Sequence, residues 1–268
     1  MLNKVVIITG ASSGIGKALA FQFGHQGSKI VITGRDSAKL EVALNELHIA
    51  NIDAFSIVAD VSVEDDNKIV VEKTLAKFGK IDILINNAGI SMRALFNDTE
   101  TDVIKKVMDI NFYGTVYATK YALPEIIKSK GSIIGISSIA GYRGLPGRTS
   151  YSASKFAMQG FLEALRTELL KKDVHVLVAC PGFTASNIRN TALNSSGEVQ
   201  GESPRDEQKM MSAEEVASHI YNATLKRKRD LVLTSQGKLT VFLNKFLPGF
   251  MDKMVYNHMA KEKDSPFK

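Results

Sequence analysis

The sequence of 268 residues contains one cysteine, no tryptophan and six prolines. A single cysteine excludes a disulfide within the chain, and Cys180 lies in an apolar run that suits a small buried residue better than a nucleophile. The five histidines are scattered without the spacing of metal ligands, so we expect no metal site. No repeat or Pro/Gly/Ser-rich linker divides the sequence. We expect one domain, because 44% hydrophobic residues at this length can form a large core.

The formal net charge of +6 comes from one end of the chain. Residues 226–268 hold ten Lys or Arg and four Asp or Glu, whereas residues 1–225 hold 24 of each. The basic run 226–229 lacks interleaved aromatic residues and precedes a predicted strand, so we do not assign it to nucleic-acid binding. The first strand-like run begins almost at Met1. This leaves no room for a signal peptide and favours a cytoplasmic protein.

Seven short runs rich in branched apolar residues predict β-strands, and helix-length amphipathic stretches separate most of them. The runs lie at residues 4–9, 29–33, 55–58, 82–86, 131–137, 174–180 and 231–234. This alternation favours a parallel sheet with helices on both faces, the doubly wound α/β architecture. Ligands bind such sheets at the carboxyl ends of the strands. Polar and glycine-rich motifs follow several of these runs, so we expect the ligand site at that edge.

A glycine-rich loop follows the first predicted strand and precedes a helix-forming stretch. It reads Gly10-Ala11-Ser12-Ser13-Gly14-Ile15-Gly16. Glycines at this place let the backbone approach a pyrophosphate, which the N–H groups and dipole of the following helix attract. The spacing differs from the commoner G-x-G-x-x-G of dinucleotide-binding folds. A nucleotide-binding turn is our interpretation, and a purely structural turn is the alternative.

Tyr151 and Lys155 lie four residues apart in a predicted helix and so share one face of it. An ordinary phenol, with a pKa of about 10, exchanges protons poorly at neutral pH. A neighbouring cation lowers that pKa, and a shift to about 7 corresponds to roughly 4 kcal/mol. The pair therefore suits general acid–base chemistry between an alcohol and a carbonyl. Taken alone, the pair favours a solvated helix face over a catalytic site.

Several motifs occur together in an order and spacing that resemble the short-chain dehydrogenase/reductase family. They are Thr9-Gly10-x-x-x-Gly14-x-Gly16, Asn86-Asn87-Ala88-Gly89, Ser138, Tyr151-x-x-x-Lys155 and Pro181-Gly182, and the resemblance covers roughly residues 4–235. It implies a single-domain, Rossmann-type, seven-stranded parallel sheet. It also implies an oxidoreductase that interconverts a carbonyl and a secondary alcohol with a nicotinamide cofactor.

The resemblance implies the catalytic roles. Tyr151 would exchange a proton with the substrate oxygen, and Lys155 would lower the pKa of Tyr151 and hold the nicotinamide ribose. Ser138 would hydrogen-bond the substrate oxygen; the adjacent Ser137 is set aside because the family spacing selects Ser138. Asn111 would position a water chain to Lys155. A helix-kinking or hydrogen-bonded core asparagine is the alternative for Asn111.

The resemblance also implies the cofactor contacts. They are Gly10, Ser12, Ser13, Gly14, Ile15, Gly16, Arg35, Asp60, Val61, Asn87, Ala88, Gly89, Tyr151, Lys155, Pro181, Gly182 and Thr184. Asp60 and Val61 would contact the adenine and Asn87 the adenosine ribose, while the last three residues in that series would border the nicotinamide. A structural bridge between strands is the alternative for Asn87.

The end of the second predicted strand indicates which dinucleotide is bound. By resemblance, the position that is acidic in NAD-binding relatives is Gly34, and Arg35 follows it with a guanidinium suited to a phosphate. Ser12 adds a hydroxyl donor, whereas Asp36 either opposes a phosphate or caps the next helix. Ser13 occupies a position that is basic in some NADP-binding relatives. We expect NADP(H) rather than NAD(H).

The substrate is less well defined by the sequence. Residues 185–211 correspond to the variable substrate lid of the family, and their middle is polar. Apolar residues flank it: Phe183, Ile188, Met210 and Met211. They either line an adaptable apolar pocket for a hydrophobic or lipid-like ketone or anchor the lid to the core. A 3-oxoacyl or sugar ketoreductase and a non-catalytic NADP-binding regulatory protein are the alternative functions.

Residues 1–237 form the expected catalytic domain, and residues 238–268 form a C-terminal basic amphipathic helical extension. Its apolar positions recur at helical spacing: Leu239, Phe242, Leu243, Phe246, Leu247, Phe250, Met251, Met254 and Val255. Pro248 would kink or divide the helix. A peripheral membrane contact is one interpretation, and a pocket cover or subunit contact is the other. Relatives assemble through two long helices, here around residues 100–128 and 151–171, so we expect a homodimer or homotetramer.

Overall fold

The computed structural model describes residues 1–203 and 210–267. Within these ranges, seven β-strands form one sheet: β1 (Val5–Ile8), β2 (Lys29–Gly34), β3 (Ala54–Val58), β4 (Ile83–Asn86), β5 (Ser132–Ile136), β6 (His175–Cys180) and β7 (Asp230–Val232). Their order across the sheet is β3-β2-β1-β4-β5-β6-β7, and every neighbouring pair is parallel. The predicted strands are all present, with bounds that agree to within two residues.

Helices cover both faces of the sheet. Within the described ranges they are α1 (Gly14–His25), α2 (Ser37–Ile49), α3 (Glu64–Phe78), α4 (Thr101–Met108), α5 (Gly114–Ser129), α6 (Thr149–Glu168), α7 (Ala213–Leu225), α8 (Ser235–Phe246) and α9 (Pro248–Ala260). The apolar core on one face includes residues of α1, α2 and α7, and the core on the other includes residues of α3, α5 and α6. The predicted doubly wound, Rossmann-type α/β fold is confirmed.

Strand β1 shows why the predicted strands are continuous apolar runs. Val6 and Ile8 pack into the core on the α1 side, whereas Val5 and Ile7 pack into the core on the α3 side. Successive side chains of a strand point to opposite faces, so a strand covered on both faces needs apolar residues at every position. Each such side chain contributes about 1.5–3 kcal/mol when it is fully buried.

The order of the strands reverses between β1 and β4. In sheets of this kind the crevice at such a switch point, beyond the carboxyl ends of the strands, is where ligands bind. The loops that follow β1, β2, β3, β4, β5 and β6 all open toward this edge, because parallel strands end on the same side. The fold therefore gathers motifs that are far apart in the sequence.

The C-terminal extension contains two helices, and the division predicted at Pro248 is present. Helix α8 ends at Phe246, and Pro248 occupies the first turn of α9. Met251, Val255 and Met259 form the buried side of α9. The predicted boundary after residue 237 falls in the first turn of α8 and stays a proposal. Among the described helices, none is both long and apolar enough to cross a membrane.

The predicted substrate lid, residues 185–211, is described except for 204–209. Isolated bridges join Leu193 to Met92 and Met211 to Thr184. Met211 also packs against the core that includes α7, so this residue anchors the lid rather than lining the cleft. Of the other flanking residues named from the sequence, Phe183 and Ile188 do line the cleft.

Candidate active site

A cleft of about 790 Å³ lies at the carboxyl edge of the sheet. All seventeen residues that the sequence analysis named as cofactor contacts line it, and so does Ser138. The cleft runs from the end of β2, past the glycine-rich loop, to the N-terminus of α6. Asn111 does not line the cleft but lies immediately behind it.

The glycine-rich loop packs too closely for side chains. Gly10 has a φ of +63°, and a Cβ there would lie 2.8 Å from the Cα of Ala88. A Cβ on Gly16 would lie 2.5 Å from the carbonyl oxygen of Gly10. The loop therefore needs glycine to reach this conformation, and it presents backbone to the cleft at the start of α1. This bare backbone at a helix N-terminus fits the pyrophosphate of a dinucleotide.

Asn87 holds the glycine-rich loop in place. Its side-chain amide donates hydrogen bonds to the carbonyl oxygens of Thr9, at 2.8 Å, and Gly10, at 3.0 Å. The Thr9 hydroxyl in turn accepts from the backbone N–H groups of Asn87 and Ala88, each at 3.0 Å. The structural bridge considered for Asn87 is therefore present, and the same residue also borders the cleft.

Helix α6 carries Tyr151 and Lys155 on the face that lines the cleft. Lys155 is buried, and its ammonium donates a hydrogen bond to the carbonyl oxygen of Ile136, at the end of β5, at 2.9 Å. Ser138 lies just beyond that strand, where its hydroxyl accepts from the Ala140 N–H at 3.1 Å. The end of β5 and the first turns of α6 thus bring the three predicted catalytic side chains to one place.

The pKa of Tyr151 differs from the sequence-based expectation. Burial has the largest effect and raises this pKa, while a hydrogen bond with Ser138 and the charges of Arg148 and Arg189 act in the opposite direction. Burial lowers the pKa of Lys155 to about 8. We expected the Lys155 ammonium to lower the pKa of Tyr151. Instead, the Lys155 ammonium is hydrogen-bonded to the backbone carbonyl of Ile136 and lies 5.8 Å from the centre of the Tyr151 ring.

Asn111 lies in a single π-helical turn, Asp109–Tyr113, between α4 and α5. The side chain is fully buried, donates to the Ile90 carbonyl and the Ser154 hydroxyl, both at 2.9 Å, and accepts from the Ile90 N–H at 2.8 Å. A Cβ on Gly89 would lie 3.2 Å from the side-chain Oδ1 of Asn111 and 3.5 Å from the Nζ of Lys155. The predicted alternative, a hydrogen-bonded core asparagine, describes these contacts, and they place Asn111 next to Lys155.

At the other end of the cleft, β2 ends beside two cationic side chains, those of Arg35 and Lys39. Arg35 lies 3.6 Å from the Asp60 carboxylate. Partial burial opposes ionisation of Asp60, but hydrogen bonds from Ser62 and the charge of Arg35 outweigh it and keep the pKa of Asp60 below its usual value. Asp36 accepts from the Lys39 N–H at 3.0 Å and so caps α2, the role considered for it from the sequence.

The sequence analysis missed several charged residues of the cleft. Lys39 lines it from the first turn of α2, and its spacing from Asp36 was a local signal that could have revealed it. Arg148 lines it three residues before Tyr151, and Arg189 lines it from the lid. Nothing in the local sequence indicates that these two arginines turn toward the phenol.

Comparisons with known proteins agree with the fold. The short chain dehydrogenase family model matches residues 4–196. Dehydrogenase/reductase SDR family member 7B of Mus musculus is 36% identical over 269 residues, which cover 98% of this chain and 83% of the mouse protein. The 11-beta-hydroxysteroid dehydrogenase-like 2 of Arabidopsis thaliana is 41% identical over 188 residues, which cover 69% of this chain and 61% of that protein.

Solved structures share the fold at lower identity. A short chain dehydrogenase/reductase from Burkholderia phymatum in complex with NAD superposes with a TM-score of 0.83 at 23% identity, covering 93% of this chain and 95% of that one. An alcohol dehydrogenase from Thermococcus sibiricus, complexed with 5-hydroxy-NADP, gives 0.75 at 22% identity and covers 86% and 95%. With the family match and the curated relatives, these findings show that the chain belongs to the short-chain dehydrogenase/reductase family.

Proposed function

We propose that this protein is an NADP(H)-dependent oxidoreductase that interconverts a carbonyl and a secondary alcohol. Membership of the family supports dehydrogenase or reductase chemistry at a CH–OH or C=O group. The observation that carries the proposal is the convergence of Ser138, Tyr151 and Lys155 on a cleft that also holds the glycine-rich loop. A protein that only bound a nucleotide would use Lys155 but would not need the hydroxyls of Ser138 and Tyr151 beside it.

In the reductive direction, Tyr151 donates its phenolic proton to the carbonyl oxygen. The phenol is protonated at neutral pH, because burial raises its pKa. Ser138 hydrogen-bonds the same substrate oxygen and orients it toward Tyr151. Lys155 holds ribose hydroxyls, and Asn111 supports this region from behind through its hydrogen bonds. A bound nicotinamide dinucleotide supplies the hydride in one direction and accepts it in the other.

The remaining cofactor contacts follow the course of the cleft. The glycine-rich loop and the N-terminus of α1 hold the pyrophosphate. Asp60 and Val61 border the adenine, and Asn87 borders the adenosine ribose. At the opposite end, Pro181, Gly182 and Thr184 border the nicotinamide. Their positions along one continuous cleft support this assignment.

The preference for NADP(H) rests on the charges at the end of β2. No carboxylate occupies Gly34, where one would bind ribose hydroxyls and repel a 2′-phosphate. Arg35, Lys39 and Ser12 offer two cations and a hydroxyl around that position. Asp36 caps α2 and pairs with Lys39 at 3.1 Å, so Lys39 balances this carboxylate and Arg35 is the main cation for a phosphate.

The experiment that tests this function measures oxidation of NADPH and NADH across a panel of hydrophobic ketones, 3-oxoacyl thioesters, aldehydes and keto sugars. We expect turnover with NADPH at a kcat/KM about 10–100 times that with NADH, the effect of one charge-assisted phosphate contact of roughly 1.5–3 kcal/mol. A preference for NADH would contradict the cofactor assignment. Absence of turnover on the whole panel would favour a regulatory nucleotide-binding protein instead.

We propose hydrophobic ketones as the substrates. Phe183, Ile188 and Leu193 line the cleft that holds Tyr151, and the charged side chains of Arg148 and Arg189 line it as well. A pocket that combines apolar side chains with a small number of polar groups is typical of sites for small organic molecules. A relative from Arabidopsis thaliana is named for its likeness to a hydroxysteroid dehydrogenase, and steroids are hydrophobic ketones or alcohols. Faster turnover of 3-oxoacyl thioesters or keto sugars on the same panel would replace this assignment.

We also propose that α8 and α9 contact an anionic membrane surface from an otherwise cytoplasmic protein. Helix α9 buries Met251, Val255 and Met259, whereas Gly237 is the buried residue of α8. Both helices and the residue between them expose large apolar side chains: Leu239, Phe242, Phe246, Leu247, Phe250 and Met254. Lys238, Lys245 and Lys253 lie among them. Exposed apolar residues with basic residues among them are typical of peripheral membrane helices. Among the described residues that line the cleft, none belongs to α8 or α9, although the ring of His258 in α9 lies 6.1 Å from the ring of Phe183, which does line it.

Substitution of two exposed phenylalanines tests the membrane contact. Phe246 and Phe250 are 60% and 57% exposed, so the double change Phe246→Ser with Phe250→Ser leaves the core intact. We expect it to reduce co-sedimentation with phosphatidylserine vesicles at least about tenfold, because two phenyl groups lose their apolar contact with lipid. The matched control is Phe96→Ser, which removes a phenyl group that is 67% exposed and lies outside α8 and α9.

Equal vesicle binding by wild type and both variants would contradict the membrane contact, as would a wild type that stays in solution. Sedimentation velocity without vesicles provides the folding control.

We propose a homodimer or homotetramer formed through the outer faces of α5 and α6, near the exposed side chains of Tyr113 and Phe156. The substitutions in α8 and α9 should leave that assembly unchanged.

A further inference from the structure

The last residues of the chain fold back from α9 toward the segment that precedes α6. We call residues 261–267 the C-terminal tail. Within it, Glu262 and Ser265 are both buried, and the Ser265 hydroxyl donates to the carbonyl oxygen of Met259 at 3.1 Å. The ring of Phe267 packs against Gly147 and lies 5.3 Å from the ring of Tyr256, between centroids. The tail is a packed part of the structure.

The centre of this contact is a buried carboxylate between two arginines. Arg148 donates from its Nη2 to both oxygens of Glu262, at 3.0 Å and 3.3 Å. The Nε of Arg93 lies 3.5 Å from the same carboxylate without a hydrogen bond to it, and the Nη2 of Arg93 donates to the carbonyl oxygen of Lys263 in the tail at 2.5 Å. The three side chains are 11%, 4% and 9% exposed, in the order Arg148, Glu262 and Arg93. Solvent screens such charges little, so the carboxylate opposes the mutual repulsion of the two guanidiniums.

Arg148 connects this cluster to the proposed catalytic phenol. Arg148 lies three residues before Tyr151, at the start of α6. Its backbone carbonyl oxygen accepts a hydrogen bond from the N–H of Ser152, in the first turn of that helix, at 2.9 Å. Its side chain lines the cleft, and its charge acts on Tyr151. Arg148 therefore joins the Glu262 carboxylate to the first turn of α6.

Arg93 connects the same cluster to the opposite side of the substrate end. Its backbone N–H donates to the Leu193 carbonyl at 2.8 Å, and its carbonyl oxygen accepts from the Gln200 side chain at 3.2 Å. Both partners belong to the lid, and Leu193 lines the cleft. Lys263 of the tail makes a further ion pair with Glu202, at 3.2 Å. The tail thus contacts both walls of the substrate end.

We propose that Glu262 is a positioning residue of the active site: through Arg148 it fixes the first turn of α6, and through Arg93 it fixes the facing wall of the lid. This inference rests on the proposed function, because it assigns Glu262 a role in the proton transfer by Tyr151. A precisely held donor matters because a displacement of about 1 Å costs roughly 100-fold in rate.

The test compares Glu262→Gln with the matched control Glu202→Gln. The first change removes the buried charge while preserving side-chain size; the second removes a charge in the same tail contact that is 78% exposed. We expect Glu262→Gln to lower kcat at saturating NADPH at least about tenfold, while the Kd for NADPH stays within about twofold. Hydrogen exchange of the backbone amides at residues 149–155 should accelerate in Glu262→Gln. It should remain unchanged in Glu202→Gln.

The outcomes separate the inference from the proposed function. Unchanged kcat or unchanged exchange in Glu262→Gln, in an active wild type, would overturn the positioning role. A wild type inactive on every carbonyl would overturn the proposed function, and the exchange data would then test the hold on α6 alone. If Glu262→Gln does not bind NADPH or fold, Glu262→Asp replaces it. That variant keeps the charge but withdraws it from Arg148, so the same kcat and exchange changes, reduced to about threefold, are expected.

Discussion

Replacement of the phenol of Tyr151 by a phenyl group, Tyr151→Phe, should lower kcat by about 10²–10⁴-fold, the usual contribution of a positioned general acid. The substitution removes one oxygen and keeps the ring that borders the cleft. The glycine-rich loop and the end of β2 are untouched. The Kd for NADPH, measured by the fluorescence of the bound nucleotide, should therefore stay within about threefold of the wild-type value.

Tyr142→Phe is the matched control for this prediction. Tyr142 is also partly buried, and burial raises the pKa of its phenol to about 12, but it does not line the cleft. We expect this variant to keep its kcat within about threefold, because the lost hydroxyl contacts neither substrate nor cofactor. Substantial turnover by Tyr151→Phe, with Tyr142→Phe equally active, would remove Tyr151 from the mechanism.

The strands and the cleft were predictable because their signals are local or periodic. A strand covered on both faces requires apolar residues throughout, and β1 illustrates this with Val5 and Ile7 on one side and Val6 and Ile8 on the other. The motifs that follow the strands share one edge because all seven strands of the described sheet are parallel. The order of motifs therefore fixed which residues meet, although not their hydrogen bonds.

The features that were missed depend on contacts between distant segments. The bond between Arg148 and Glu262 joins residues 114 positions apart, and no local pattern indicates it. The pKa of Tyr151 was misjudged for the same reason, since desolvation depends on everything that packs around the phenol. Lys155 is four residues away in sequence, yet it is engaged by a strand carbonyl. By contrast, the position of Lys39 could have been predicted locally, because it lies three residues after Asp36, the residue that caps α2.

Installing a carboxylate at the end of β2 should reverse the cofactor preference. Gly34 has room for a side chain, because a Cβ there would lie 3.6 Å from Leu40 and 3.7 Å from the Ser12 hydroxyl, which are ordinary contacts. In Gly34→Asp the new carboxylate would accept hydrogen bonds from ribose hydroxyls and repel the 2′-phosphate. We expect the ratio of kcat/KM for NADPH to that for NADH to fall about 100-fold or more. Loss of one charge-assisted bond contributes roughly 1.5–3 kcal/mol to this change, and the repulsion adds to it.

Gly34→Ala separates charge from bulk. It fills the same space with a methyl group and should leave the ratio within about threefold, since Arg35 and Lys39 keep their positions beside the cleft. An equal fall in both variants would mean that bulk alone excludes the phosphate. An unchanged ratio in Gly34→Asp would mean that the 2′-phosphate does not bind near Gly34. Because Tyr151 lies at the other end of the cleft, kcat with the preferred cofactor should survive in both variants, so lost selectivity can be told apart from lost chemistry.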